Sequence, residues 1–320
     1  MNHLEVKPIV PIVSVLMPVY NGMPYLPLAV ESILNQKFEN FELIIVNDCS
    51  TDNSTEYLNS LQDNRIIRID NEFNSGICYS LQRGLETATG KYVARLDSDD
   101  VAYPERFNIQ VKFLENDLSY GLIGSSCRII NENGEPIPSK IEGFDDIAIR
   151  WRMLFKNTFV HSTVMFRNSL IKDHNLKYEK LHGEDYDLWN KLLANTKGFI
   201  LSEPLIDYRV HNNSWTSTKR AQQEEAALIN STQQLAKYLK NDSRVDLIEF
   251  IRWVRGYRTI NKRDEYYFGD AFQKLIITFC RENGIKPKSK FWNEMVQGFK
   301  KRISLFTRIK LFLKQMRQFG

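Results

Sequence analysis

The sequence lacks the glycine-rich turns on which the commonest nucleotide sites are built. No G-x-G-x-x-G follows the first strand-like run, no G-x-x-x-x-G-K-[ST] occurs, and the G-x-G turn of sugar nucleotidylyltransferases is missing. Dinucleotide oxidoreductases and P-loop enzymes are set aside on that ground, and a nucleotidylyltransferase is argued against. Cysteine is scarce and scattered. Cys49, Cys78, Cys127 and Cys280 form no C-x-x-C pair, so neither a zinc site nor a disulfide framework is expected, and the spacing fits a reducing compartment. No run approaches the roughly 18 consecutive apolar residues of a membrane span. The opening MNHLEVKPIVPIVSV has no basic start before a long apolar stretch, so no secretory signal is expected. The chain reads as soluble or peripheral.

Net positive charge is confined to one segment. The formal net charge is +4, yet Lys300, Lys301, Arg302, Arg308, Lys310, Lys314 and Arg317 fall within residues 299–320, which hold no acid. The remainder is net acidic, so a uniformly basic nucleic-acid binder is excluded. Hydrophobic residues at 42% and charged residues at 26% exclude disordered and fibrous classes. At roughly 100–200 residues per domain, 320 residues suggest about two.

What is present first is alternation. Residues 12–17 form a short apolar run ended by Pro18, Asn21 and Gly22, and Tyr25, Leu28, Ala29, Ile33 and Leu34 recur at helical spacing. Residues 41–46 (FELIIV) are continuously apolar, as in a strand buried on both faces of a parallel sheet. Residues 65–69 give a third strand, 76–89 a helix stopped by Gly90, and 92–96 a fourth strand. Such alternation implies crossover units: an α/β fold with a mostly parallel central sheet. Beyond Asp100, Pro104 suits the start of a helix. Residues 122–125, 128–131, 159–167 and 200–209 read as strands, with Asn133-Gly134 as a hairpin turn. After about Ser214 the pattern is helical. The expected division is 1–214 for the α/β domain, 215–298 for a helical region and 299–320 for a basic tail.

In open α/β sheets ligands lie beyond the carboxyl ends of the strands. Here those ends carry Tyr20-Asn21-Gly22, Asn47-Asp48-Cys49-Ser50, Asn74-Ser75-Gly76 and Asp97-Ser98-Asp99-Asp100. Three carboxylates in four positions repel one another unless a cation resolves them, and hard divalent ions take oxygen ligands. Helix capping before Pro104 is the plain alternative; the strand-end position favours a metal. Asp48 suits either a base edge or a helix cap, and local evidence favours the cap. A second acidic cluster, Gly183-Glu184-Asp185-Tyr186-Asp187, opens a helical pattern. Glu184 and Asp187 suit the helix dipole. Asp185 shares a face with Leu188, Trp189 and Leu192, so it should be paired or face a cavity, where desolvation raises a carboxyl toward general-base use. His161 and His211 stand near strand ends; His211, following Arg209, suits a loop closing over an anionic ligand.

Together the motifs carry a family pattern. SVLMPVYNG (14–22), VNDCSTDNS (46–54), NSGICYSLQRGL (74–85), GKYVARLDSDD (90–100), PERF (104–107), HSTVMFR (161–167), HGEDYDLW (182–189) and YRVHNNS (208–214) occur in that order. The chain resembles GT-A fold glycosyltransferases of family 2, the bacterial type that builds surface polysaccharides. The resemblance implies sugar transfer with inversion from a nucleotide-diphosphate donor, commonly a UDP-sugar, to a glycan or polyprenyl-linked acceptor, with Mn²⁺ or Mg²⁺. By position, Pro18, Tyr20 and Asn21 would line the nucleoside pocket and Asp48 would recognise the base. Gly76 and Ser98 would complete the donor site, Asp97 would meet ribose or a metal-bound water or join the metal's ligands, and Asp99 would hold the metal. His211, from its loop after the last strand, would reach the diphosphate or the metal, a structural histidine being the alternative. Asp185 would be the base. Gln82 stands where family members often carry Asn. A carbohydrate-binding scaffold that has lost catalysis is the competing reading, and the presence of Asp97, Asp99 and Asp185 speaks against it.

In the tail, Leu305, Phe306, Ile309, Phe312, Leu313 and Met316 recur at one-, three- and four-residue steps. A basic amphipathic helix of this kind lies at a membrane interface. The expected setting is therefore cytoplasmic and peripheral, on an anionic membrane face. The alternative is packing on the protein's own helices or in a homo-oligomer.

Overall fold

In the computed structural model the described residues are 10–179, 183–211, 219–239, 245–257, 261–286, 289–302 and 307. The chain divides into two compact units. One comprises Met1–Asp146 with Phe159–Gln223, the other Ile147–Thr158 with Glu224–Gly320.

The first unit is built on a nine-stranded sheet. Its strands are β1 (Val13–Val19), β2 (Phe41–Asn47), β3 (Ile66–Asp70), β4 (Tyr92–Arg95), β5 (Val101–Ala102), β6 (Tyr120–Ile130), β7 (Pro136–Ile137), β8 (Met165–Arg167) and β9 (Lys197–Arg209). They lie in the order β3-β2-β1-β4-β8-β6-β9-β5, with β7 on β6. The strands β3, β2, β1 and β4 pair in parallel, as the early alternation implies. Past β4 the sheet is mixed: β8 is antiparallel to both β4 and β6, while β6 and β9 run parallel.

Helices α1 (Leu26–Leu34), α2 (Ser54–Ser60), α3 (Ile77–Thr87) and α4 (Arg106–Asn116) follow β1, β2, β3 and β5. Alternate residues of β1 and β4 (Val13, Val15, Met17, Val19, Tyr92 and Ala94) join Ala29, Val30 and Ile33 of α1 and Phe107 of α4 in one core. Burying each such aliphatic side chain contributes about 1.5–3 kcal/mol. The other face takes α3, where Gly84 admits Leu16 and Val46. Gly90 ends the α3 crossover at a close approach: a Cβ there would fall 2.7 Å from the backbone nitrogen of Ser14, so only glycine fits.

Two expected elements differ. The runs at 122–125 and 128–131 are one long strand, β6, with register shifts against β9. The expected strand at 159–167 is a 3₁₀ turn over His161–Thr163 followed by the short β8, which pairs on both sides with β4 and β6. Two further helices are additional to the expected elements, α5 (Asp146–Met153) and α6 (Asn168–Asp173), while α7 (Glu184–Leu193) is the helix expected from the pattern at Asp185, Leu188, Trp189 and Leu192.

The second unit is helical, with Arg220–Leu239, Leu247–Arg255, Lys262–Glu282 and Lys290–Arg302. Its core joins Leu154 and Phe155 to Leu235, Phe250, Trp253, Phe268, Phe272 and Phe279. No helix among the described residues is long and apolar enough to cross a membrane. Residues 303–306 and 308–320, which carry the tail's apolar stripe, lie outside the described residues.

Candidate functional site

A cleft of about 640 Å³ opens at the carboxyl ends of β1, β2 and β4 in the sheet unit. It is lined in part by Pro18, Tyr20, Asn21, Asp48, Gly76, Asp97, Ser98, Asp99 and His211. The structure thus brings together every donor-side and metal-side residue proposed from sequence. Asp185 is not among the lining residues.

The cleft walls are tied by side chains. Asn21, at a left-handed φ of 51°, accepts from the backbone N–H of Thr51 at 2.8 Å and donates its own N–H to Ser50 Oγ at 3.0 Å. Its amide therefore locks the loop after β1 onto the loop after β2. Asp48 is buried and serves the loop before α3. Its Oδ1 accepts from Asn71 Nδ2 at 2.5 Å and Ser75 N at 2.9 Å, and its Oδ2 from Gly76 N at 2.8 Å. The cap expected for the helix after Ser50 is therefore not what Asp48 makes: its bonds run to residues 71–76. Gly76 holds φ 86°, a value that favours glycine, and so delivers its N–H to Asp48. Gln82 is engaged internally: its Oε1 accepts from Tyr178 N at 3.0 Å.

The acidic turn after β4 is built from both sides. Asp97 Oδ2 accepts from Ser162 Oγ at 3.0 Å, and its Oδ1 lies 2.5 Å from Arg95 Nη2. Asp99 Oδ2 is 2.9 Å from His211 Nε2, and its carbonyl accepts from Arg209 Nε at 2.9 Å. Asp100 is fully buried; Oδ1 accepts from Arg209 N at 2.8 Å, while Oδ2 has no hydrogen-bond partner among the described residues. Burial, then Asp99 and Asp97, push the Asp100 carboxyl well above its usual range. Arg209 also lies over Tyr25 at 4.4 Å and packs the end of β9 against the acidic turn.

One oxygen from each of Asp97, Asp99 and Asp100 falls within 4.8 Å of the others. An all-carboxylate set with an orphaned buried oxygen fits a hard divalent cation. His211 Nε2, 2.9 Å from Asp99 Oδ2, stands beside this group.

The second acidic cluster opens α7 behind Gly183, which sits at φ 69°. Here the face assignment is corrected. Glu184 and Asp187 are buried, whereas Asp185 is half-exposed and its Oδ1 accepts from Tyr186 N at 2.6 Å. Burial, then Asp185, raise the Glu184 carboxyl to about 8; Arg95 works against this and Asp97 with it. His161 is half-buried and engaged within the fold: its Nε2 is 3.2 Å from Tyr178 Oη, and desolvation, then Arg95, hold it well below the usual imidazole range.

Sequence reasoning missed the two buried arginines. Arg95 and Arg106 stand in the quoted motifs ARLDSDD and PERF, yet motif spacing gave neither a role. Both have no exposure. Arg106 Nη2 donates to the carbonyls of Arg95 at 2.9 Å and Val164 at 3.1 Å, and burial, with Arg95, pushes it down to about 9. The available signal was an arginine within an otherwise apolar strand.

This fold, with acids at the strand ends under a nucleotide-sized cleft, is the GT-A architecture. Residues 1–349 of S. aureus TarS, crystallised in complex with UDP-GlcNAc, superpose with a TM-score of 0.59 at 18% identity, covering 95% of this chain and 91% of that one. The pattern described as Glycosyl transferase family 2 matches residues 14–174. The O-antigen biosynthesis glycosyltransferase WbnJ of Escherichia coli is 34% identical over 68% of this chain and 87% of its own. A glycosyltransferase of Haemophilus influenzae is 33% identical over 72% of this chain and 75% of its own. The chain belongs to glycosyl transferase family 2.

Proposed function

We propose that this protein is an inverting, metal-dependent glycosyltransferase. It moves a sugar from a uridine-diphosphate donor to a glycan or lipid-linked glycan acceptor in surface polysaccharide synthesis. One observation carries the reading. The cleft is lined by Asp48, Asp97, Asp99 and Glu132, and no Lys or Arg is among its described lining residues. A diphosphate would be repelled there unless a divalent cation accompanied it.

Asp99, Asp97 and His211 would hold Mn²⁺ or Mg²⁺. When bound, the cation neutralises the diphosphate and stabilises it as a leaving group. Pro18, Tyr20, Asn21 and Gly76 wall the nucleoside, and Ser98 lies beside the diphosphate turn. Asp48 Oδ2, which accepts from Gly76 N, keeps a lone pair for the imide N–H of uracil. Asp185 takes the proton of the acceptor hydroxyl while that oxygen bonds to the anomeric carbon. The bond to the diphosphate oxygen breaks with its electron pair, on the opposite face, and configuration inverts. Glu184, held protonated at neutral pH by burial, leaves Asp185 as the proton acceptor of the pair. The O-antigen relative supports the polysaccharide assignment, and the UDP-GlcNAc held by the structural neighbour supports the donor class.

Calorimetric titration with UDP, with and without Mn²⁺, tests the reading, followed by a panel of UDP-sugars scored for release of UDP. Binding is expected only with the cation. Equal affinity in its absence overturns the metal role, and no UDP binding under either condition overturns the donor class.

The basic segment 299–320 is assigned to an anionic membrane surface at the cytoplasmic face, each cation there contributing about 1 kcal/mol. Removing residues 300–320 should release the protein from anionic vesicles in flotation while UDP binding persists. Full-length protein that ignores such vesicles at low salt assigns the segment to packing or to a second copy instead.

A further inference from the structure

We propose that Arg95 is a positioning residue for donor binding, acting through Asp97. The inference rests on the donor site proposed above. Arg95 is the last residue of β4 and has no exposure. Its Nη2 is ion-paired with Asp97 Oδ1 at 2.5 Å, while Nε and Nη1 have no hydrogen-bond partner among the described residues. Its main chain is fixed: Arg95 N donates to Val164 O at 3.0 Å, and its carbonyl accepts from Arg106.

This is a poor arrangement for stability alone. A buried guanidinium with unsatisfied nitrogens costs free energy, and a well-packed apolar side chain of similar volume commonly does as well or better. What the arginine does supply is charge at one carboxylate oxygen. With Ser162 Oγ at the other oxygen, 3.0 Å away, both sides of Asp97 are held and its carboxylate plane is set. Groups that orient a metal ligand from behind are worth about 10–100-fold in affinity or activity. Asp97 is 30% exposed toward the cleft while Arg95 is sealed beneath it, so Arg95 acts on the ligand without touching it.

The test is a double-mutant cycle read as Mn²⁺-dependent UDP affinity, with melting temperature measured alongside. Arg95→Met is expected to weaken UDP binding about 10–100-fold. Arg95→Lys, which keeps the charge but not the reach, is expected to lose several-fold. In an Asp97→Asn background either substitution should cost no further affinity, because the carboxylate through which Arg95 acts is gone. A merely structural role would lower the melting temperature and leave the affinity losses additive. Should Arg95→Met fail to fold, the Arg95→Lys cycle carries the same comparison. Wild-type affinity in both variants, or equal losses in both backgrounds, overturns the proposal. Failure of the wild-type protein to bind UDP with Mn²⁺ overturns the donor reading instead.

Discussion

The two units bury different chemistry. The helical unit packs Phe155, Phe250, Trp253, Phe268, Phe272 and Phe279 together, and among its described residues the buried polar groups are Asn230, Ser231, Asp270 and Thr307. The sheet unit buries Asp48, Arg95, Asp100, Arg106 and Gln110 beside its aliphatic core. Each buried polar atom left without a partner costs about 1–3 kcal/mol. The sheet unit retains such atoms on Arg95, Asp100 and Arg106, beside or beneath the cleft. The sheet unit also keeps such an atom on Asn168 and on Trp189, which do not line the cleft, so unsatisfied burial accompanies the donor turn without being confined to it, while the helical unit packs a chiefly aromatic core.

Removing a ligand of the proposed cation should break the sheet unit's function most completely. Asp99→Ala is expected to lower Mn²⁺-dependent UDP affinity by more than the about 100-fold that an outer partner can cost, with the melting temperature unchanged. Metal-dependent binding at wild-type strength in the variant would remove Asp99 from the site. Asp185→Asn should leave UDP binding intact and reduce transfer about 10²–10⁴-fold, the range for a lost acid–base group. Transfer near the wild-type rate would hand the role to another acid of α7.

The fold of the sheet unit's first half was legible because buried parallel strands write continuous apolar runs, as in FELIIV. The second half was less so. Long β6 contains Gly124, Ser125 and Ser126, small and polar residues that interrupt an apolar pattern while remaining buried against β9. The segment Ile147–Thr158 belongs to the helical unit although it is flanked by the sheet unit, and no local signal announces such an excursion. At the cleft, residue types and strand-end positions indicated which side chains would gather. They did not indicate which would be spent on scaffolding: the Asn21 amide and most of the Asp48 carboxylate hold loops, a matter of which backbone N–H groups come within reach.

The helical unit offers the opposite test. Phe250→Ala should remove about 3–5 kcal/mol of stability, the usual cost of truncating a buried phenylalanine. It lies in the aromatic cluster with Trp253, Phe268 and Phe272. Urea unfolding gives the loss, and calorimetry should return wild-type UDP affinity for the folded fraction. A parallel loss of UDP affinity would show that the aromatic core also shapes the donor site.

The smallest expected effect concerns Glu184, where polar burial is read through pH. Burial and Asp185 raise its carboxyl from 4.5 to about 8 in the folded protein, against the attraction of Arg95. Between those values the folded state holds a proton that the unfolded state has released, so stability falls as pH rises. The contribution is fully present below about 4.5 and is lost as pH climbs through about 8. Glutamine at this position resembles the protonated acid and cannot ionise. Glu184→Gln should therefore flatten the decline in melting temperature between pH 5 and pH 8, leaving the variant relatively more stable at the alkaline end. Parallel melting profiles for the two proteins would mean that Glu184 keeps an ordinary carboxyl, and that the inward turn of α7 is met by solvent rather than by burial.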